Sequence, residues 1–79
     1  RAPRAVHVRF AGVAADEQEF LRLRDLMVGK PGDCAVYFHI RGDGREIVIK
    51  ASPQLALDAE EDVLALVRSS PLVEDVWKE

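Results

Sequence analysis

His7, Cys34 and His39 are the only side chains in this 79-residue sequence, besides the carboxylates, of the types that ligate metals. Zinc sites take such residues at short spacings, Cys-x-x-Cys or His-x-x-x-His, because one turn or one helix face then aims two ligands at one ion. Neither spacing occurs here. Cys34 follows a turn and has no base near it in sequence, so it reads as a small buried apolar residue rather than a reactive thiol. Phosphate-binding chemistry is equally unsupported, since no Gly-x-Gly-x-x-Gly or phosphate-loop pattern is present. The carboxylate groups Asp16–Glu19 and Glu60–Asp62 fall where first helical turns are expected, and there they complement the helix dipole. Arg41-Gly42-Asp43 spells a cell-adhesion tripeptide but sits in a hairpin turn. No catalytic, cofactor-binding or metal-ligating residue is expected in this chain.

The elements that would position these groups follow from periodicity. Val6, Val8 and Phe10 alternate with His7 and Arg9, the pattern of a half-buried strand over 5–10. Residues 11–15 form a loop. Asp16, with Glu19 three residues on, has capping-box spacing, and Phe20, Leu23, Leu26 and Met27 give the following helix an apolar stripe. Gly29 suits a left-handed C-cap, and Pro31 prevents continuation. A Pro31-Gly32-Asp33 turn leads into a second strand with Val36, Phe38 and Ile40 on one face and Tyr37 and His39 on the other. A glycine-rich turn over 41–45 returns the chain as a third strand, 46–51. Ser52-Pro53-Gln54 is a break, and 55–57 a short extension beside the sheet. Asp58 with Glu61 repeats the capping-box spacing before a second helix lined by Val63, Leu64, Leu66 and Val67. Ser69-Ser70-Pro71 ends that helix, and 73–77 reads as a final strand.

Strand, helix, strand, strand, helix, strand is the split βαβ order of an α+β, ferredoxin-like fold. Its form is a four-stranded antiparallel sheet with both helices on one face. The first and third strands are then central, and one strand, about 10 Å, separates His7 from His39. Val36, Phe38 and Ile40 are expected to pack on Phe20, Leu23, Met27, Val63 and Val67. The other sheet face presents His7, Arg9, Tyr37, His39 and Lys50. Such a sheet binds RNA when central-strand aromatics stack bases, and the third strand has none.

The length fits one domain, 1–79, with 1–4 as a linker. No apolar run approaches the roughly 18 residues of a membrane span, and no signal peptide is visible. A lone cysteine fits a reducing cytoplasm. The chain does not begin with Met, which suggests a fragment of something longer. Net charge is −3 and unevenly distributed, with nine Lys/Arg against seven Asp/Glu in residues 1–50 and two against seven in 51–79. The acidic second half disfavours phosphate, so weak or no DNA binding is expected. Its apolar residues Leu72, Val73, Val76 and Trp77 are read as a partner surface; the alternative for Trp77, and the favoured one, is that it closes the core at the edge of the sheet.

The run from Val6 onward resembles the extreme C-terminal domain of the alpha subunit of bacterial DNA polymerase III. The resemblance is carried by Val6-His7-Val8-Arg9-Phe10, the helix 19–28, the stretch Lys30-Pro31-Gly32-Asp33-Cys34-Ala35-Val36-Tyr37-Phe38-His39-Ile40, and Val48-Ile49-Lys50-Ala51. It implies a parent that is a cytoplasmic DNA-directed DNA polymerase, a nucleotidyltransferase using divalent metal for DNA replication. The parent's catalytic aspartates would lie far N-terminal, with none mapping onto this chain. It also implies a noncatalytic domain with no cofactor of its own, docking the polymerase to the clamp-loader tau subunit and other replisome proteins. Read without the resemblance, the same residues fit a free-standing ferredoxin-like regulatory or small-ligand-binding module.

Overall fold

The computed structural model describes residues 3–12 and 16–79. Residues 1 and 2 of the expected linker and 13–15 of the expected loop lie outside the described residues. The elements are β1 (Ala5–Phe10), α1 (Glu17–Val28), β2 (Pro31–Gly42), β3 (Arg45–Lys50), a short 3-10 turn at Pro53–Leu55, α2 (Glu61–Arg68) and β4 (Val73–Lys78). Among the described residues no helix is long and apolar enough to cross a membrane.

Asp16 caps α1, its Oδ1 accepting from the Gln18 N–H at 2.9 Å. Glu19 pairs with Arg22 instead of reaching back to close a capping box. At the other end Gly29 is right-handed, φ −78°, so the expected left-handed cap is not used; its N–H bonds the Asp25 carbonyl, and Pro31 starts β2. The cap of α2 is Glu60 rather than Asp58, and Asp58 instead accepts from the Glu60 N–H at 3.3 Å.

The sheet is four-stranded in the order β3-β2-β1-β4. β1 pairs with β2 in parallel, and the other two pairings are antiparallel. This corrects the expected all-antiparallel sheet: the fold is α+β with a mixed sheet, and its central strands are the first and second. The physical reason lies in which strand of the β2–β3 hairpin docks on β1. A two-residue turn, Asp43 and Gly44 at φ 50° and 73°, fixes β3 antiparallel to β2. β2 carries buried side chains on both faces, Val36 toward the helices and His39 on the opposite side, whereas every residue of β3 is exposed. The strand that can bury both faces takes the centre.

Both helices pack on one face of the sheet. Leu23 and Met27 of α1 and Val63, Leu64 and Val67 of α2 share a core with Val6, Val8, Cys34, Val36, Leu57 and Val76. Phe38 packs at its margin, 5.1 Å centroid to centroid from Phe10. Phe20, Ile40 and Leu66, expected in the core, are exposed. Leu57 is fully buried although it lies outside the regular elements. It bridges Pro31 and Cys34, as expected of an extension lying beside the sheet. Gly32 allows that approach: a Cβ there would stand 2.4 Å from the Asp58 backbone.

Candidate interaction surfaces

The face opposite the helices is organised in rows set by strand register. Trp77, His7, Tyr37 and Lys50 stand side by side across β4, β1, β2 and β3. The His7 ring stacks between Trp77, at 5.1 Å and 7°, and Tyr37, at 5.3 Å and 18°. Side chains rise perpendicular to a sheet, so neighbouring rings in one row meet face to face. Their π faces are thereby used on one another, and bases have no exposed ring faces of His7 to stack on. Arg9 lies 4.8 Å over the Trp77 ring.

A hydrogen-bonded chain crosses this face. Glu79 Oε1 meets His7 Nε2 at 2.5 Å, His7 Nδ1 meets His39 Nε2 at 2.7 Å, and His39 Nδ1 meets Glu46 Oε1 at 2.9 Å. Arg9 Nε then donates to Glu46 Oε2 at 2.9 Å. Glu74, beside the bulge at Arg9/Phe10, approaches Arg41 at 3.4 Å. The expected one-strand separation of the histidines is thus overturned: with β1 beside β2 they are neighbours. The His39 hydrogen bond, followed by the one from Arg9, holds the Glu46 carboxyl below its ordinary range. The Lys78 ammonium, 2.8 Å away, likewise lowers Glu61.

The chemistry open to this chain is restricted by its geometry. Three contacts join two carboxylates and two imidazoles, so each ring spends both nitrogens inside the chain. The facing histidine nitrogens, at 2.7 Å, stand closer than the roughly 3.3 Å between two nitrogens each about 2.0 Å from a tetrahedral zinc ion. Among the described residues no group of three or more His, Cys, Asp and Glu side chains gathers as a metal site. Cys34 is buried, its thiol against the Pro3 carbonyl at 3.4 Å. The histidine network therefore ties β1, β2, β3 and the end of β4 together.

A second feature lies at the sheet edge. Ile47, Val48 and Ile49 of β3 are 51%, 50% and 47% exposed. Ile47 and Ile49 lie on the helical side of the sheet, opposite Ile40 and Phe38, yet the helices leave them uncovered. Exposed Ile40 and Phe20 extend the same apolar area. The Ala51 N–H donates to Val36 O at 2.8 Å, which sets the phase of the ladder. Odd-numbered residues of β3 bond β2, and the N–H and C=O groups of Glu46, Val48 and Lys50 face outward. The opposite edge is finished differently: on β4 the Val76 N–H donates to Asp75 Oδ1 at 2.8 Å, and its carbonyl accepts from Arg68 Nη2 at 2.9 Å. Charges, bulges and side-chain caps are how edges are kept from pairing. Charged residues flank the apolar centre of β3, which is otherwise open.

No protein-family model, no curated protein and no solved structure matches this chain. The residues singled out in sequence as a partner surface do not share one exposed face. Leu72 and Val76 are buried, Val73 packs against the core, and Trp77 stands on the opposite face, half-buried in the ring stack. Sequence reasoning missed the Glu79–His7–His39–Glu46 chain and the open edge of β3. The run Ile47-Val48-Ile49 was the available signal for the edge, since apolar residues on both faces of a strand need cover on both.

Proposed function

We propose that this chain is a noncatalytic protein-interaction domain, the C-terminal domain of the alpha subunit of a bacterial replicative DNA polymerase. In this reading it docks the cytoplasmic enzyme to the clamp-loader tau subunit during replication. The observation that carries an interaction role is the uncovered apolar area of β3, Ile47 and Ile49 with Ile40 and Phe20 beside it. Contiguous exposed apolar side chains, here with Arg45 at their margin on the same side of the strand, are the anatomy of a binding surface. The choice of partner rests on the sequence resemblance around Pro31-Gly32-Asp33 and the strand after it. DNA is the less suitable partner because residues 51–79 are acidic and the His7 ring is stacked on both faces. Nucleotidyl transfer and its divalent metal belong to other domains of the proposed parent.

The test is a titration of the chain with tau and, separately, with single-stranded DNA at about 0.15 M salt, where exposed charges are screened beyond roughly 8 Å. Tau binding is expected, weakened roughly tenfold or more by Ile47→Asp, with circular dichroism unchanged. Tight DNA binding together with no tau binding would overturn the proposal.

A further inference from the structure

We infer that the open edge of β3 pairs with β3 of a second copy of this chain, antiparallel about a twofold axis through Val48. The inference rests on the reading of β3 as an interaction strand and names what occupies its backbone edge. The free hydrogen-bonding groups belong to Glu46, Val48 and Lys50, because Arg45, Ile47, Ile49 and Ala51 are turned toward β2. A twofold axis normal to the sheet makes two identical edges antiparallel while keeping both helical layers on one side. Residues facing each other across such a pair share a sheet face, so only registers joining residues of the same parity are allowed.

Among those registers, the one centred on Val48 is self-complementary. Val48 meets Val48, Glu46 meets Lys50 twice, and Ile47 meets Ile49 twice on the helical side. The Val48 pair and both Glu46–Lys50 pairs are bonded pairs, each exchanging two backbone hydrogen bonds. Centring on Ile47 instead would set Glu46 opposite Val48 and Lys50 opposite Gly44. Centring on Ile49 would set Lys50 opposite Val48 and Glu46 opposite Ser52. Neither matches a charge. Lys50 has no ion-pair partner among the described residues, and the Glu46 carboxylate is fixed in place by His39 and Arg9. The charges that flank the apolar centre therefore specify a register rather than block pairing. The product is a continuous eight-stranded sheet, closed at its outer ends by the capped β4 edges, on which Ile40, Ile47 and Ile49 of both copies form one apolar floor.

Sedimentation equilibrium of the full chain across micromolar to millimolar concentrations tests this directly. A monomer–dimer equilibrium is expected. Val48→Pro removes an outward N–H that β2 does not use, and edge strands tolerate proline; no dimer should then be detectable, with circular dichroism unchanged. Lys50→Glu sets like charges opposite each other at both flanks and should weaken the dimer roughly tenfold or more. Mixing Lys50→Glu with Glu46→Lys chains should restore pairing as a heterodimer, because each flank then joins opposite charges. A wild-type chain that stays monomeric to millimolar concentration, or a dimer indifferent to both Val48→Pro and Lys50→Glu, would overturn the inference. If the wild-type chain is monomeric yet binds tau in an Ile47-dependent way, the second-copy inference fails and the interaction reading stands.

Discussion

Replacing Leu57 with alanine should destabilise the fold by roughly 2–5 kcal/mol, although Leu57 belongs to no helix and no strand. Its side chain is 0% exposed and lies in the core with Cys34, Val36 and the α2 residues. Two terms add: the transfer free energy of the lost carbons, and the cavity they leave where the surroundings do not collapse. Collapse is hindered here because the backbone is pinned on both sides. The Gly32 N–H bonds Ala56 O at 3.2 Å, and the Asp58 N–H bonds Lys30 O at 3.0 Å. For a chain of this length, total stability is about 4–12 kcal/mol, so the loss is a large share of it. With an m-value near 1–1.5 kcal/mol per molar urea, the unfolding midpoint should fall by roughly 1.3–5 M or the variant should not fold. Leu66→Ala is the control. Leu66 occupies a position that periodicity makes equivalent to core, yet it is 41% exposed, and its truncation should cost less than about 1 kcal/mol. Equal costs at the two positions would refute the placement of Leu57 in the core beside the start of β2.

Gly32→Ala should lower stability by roughly 1–3 kcal/mol, because its Cβ would meet the Asp58 backbone at 2.4 Å; an unchanged melting temperature would sink this. His39→Phe keeps a planar ring but leaves His7 Nδ1 and Glu46 Oε1 each without a partner, while Arg9 still bonds Glu46 Oε2. It should cost roughly 1–3 kcal/mol, and a double-mutant cycle with His7→Phe should show coupling between the two sites. Glu46 is lowered from an ordinary value of 4.5 in the folded chain, so its contribution is fully present above that pH and is lost as pH falls through the lower, folded-state value. Acid unfolding of Glu46→Gln should therefore show a shallower loss of stability below about pH 4.5 than the wild type; identical acid limbs would contradict it.

Much of the local structure was legible in the residues. The alternation in 5–10, the cap at Asp16 and the Gly-rich turn within 41–45 act over a few residues, and local chemistry decides them. Strand order is not local. β2 and β3 both carry apolar residues, and the hairpin would satisfy the same pattern with either strand against β1. The choice turns on whether His39 can be buried, and it can because His7, its neighbour on the adjacent strand, supplies a partner for one ring nitrogen while Glu46 supplies the other. That pairing spans 32 residues of sequence and follows no spacing rule. The same uncertainty hid the candidate surface. Ile47-Val48-Ile49 reads equally as a central strand covered on both faces or as an edge awaiting cover. The apolar residues near the C-terminus, by contrast, went largely into the core because β4 is the strand on which α2 packs.

The most direct measurement is amide hydrogen exchange along β3, first in dilute solution and then on concentrating the chain or adding tau. In the dilute chain the amides of Ile47 and Ile49 should be protected, while those of Glu46, Val48 and Lys50 exchange freely. A bound partner strand should then protect the second set. Protection of both sets in the dilute chain would mean that β3 is a central strand. No gain in protection at β3, on concentrating or on adding tau, would mean that the interaction surface lies elsewhere.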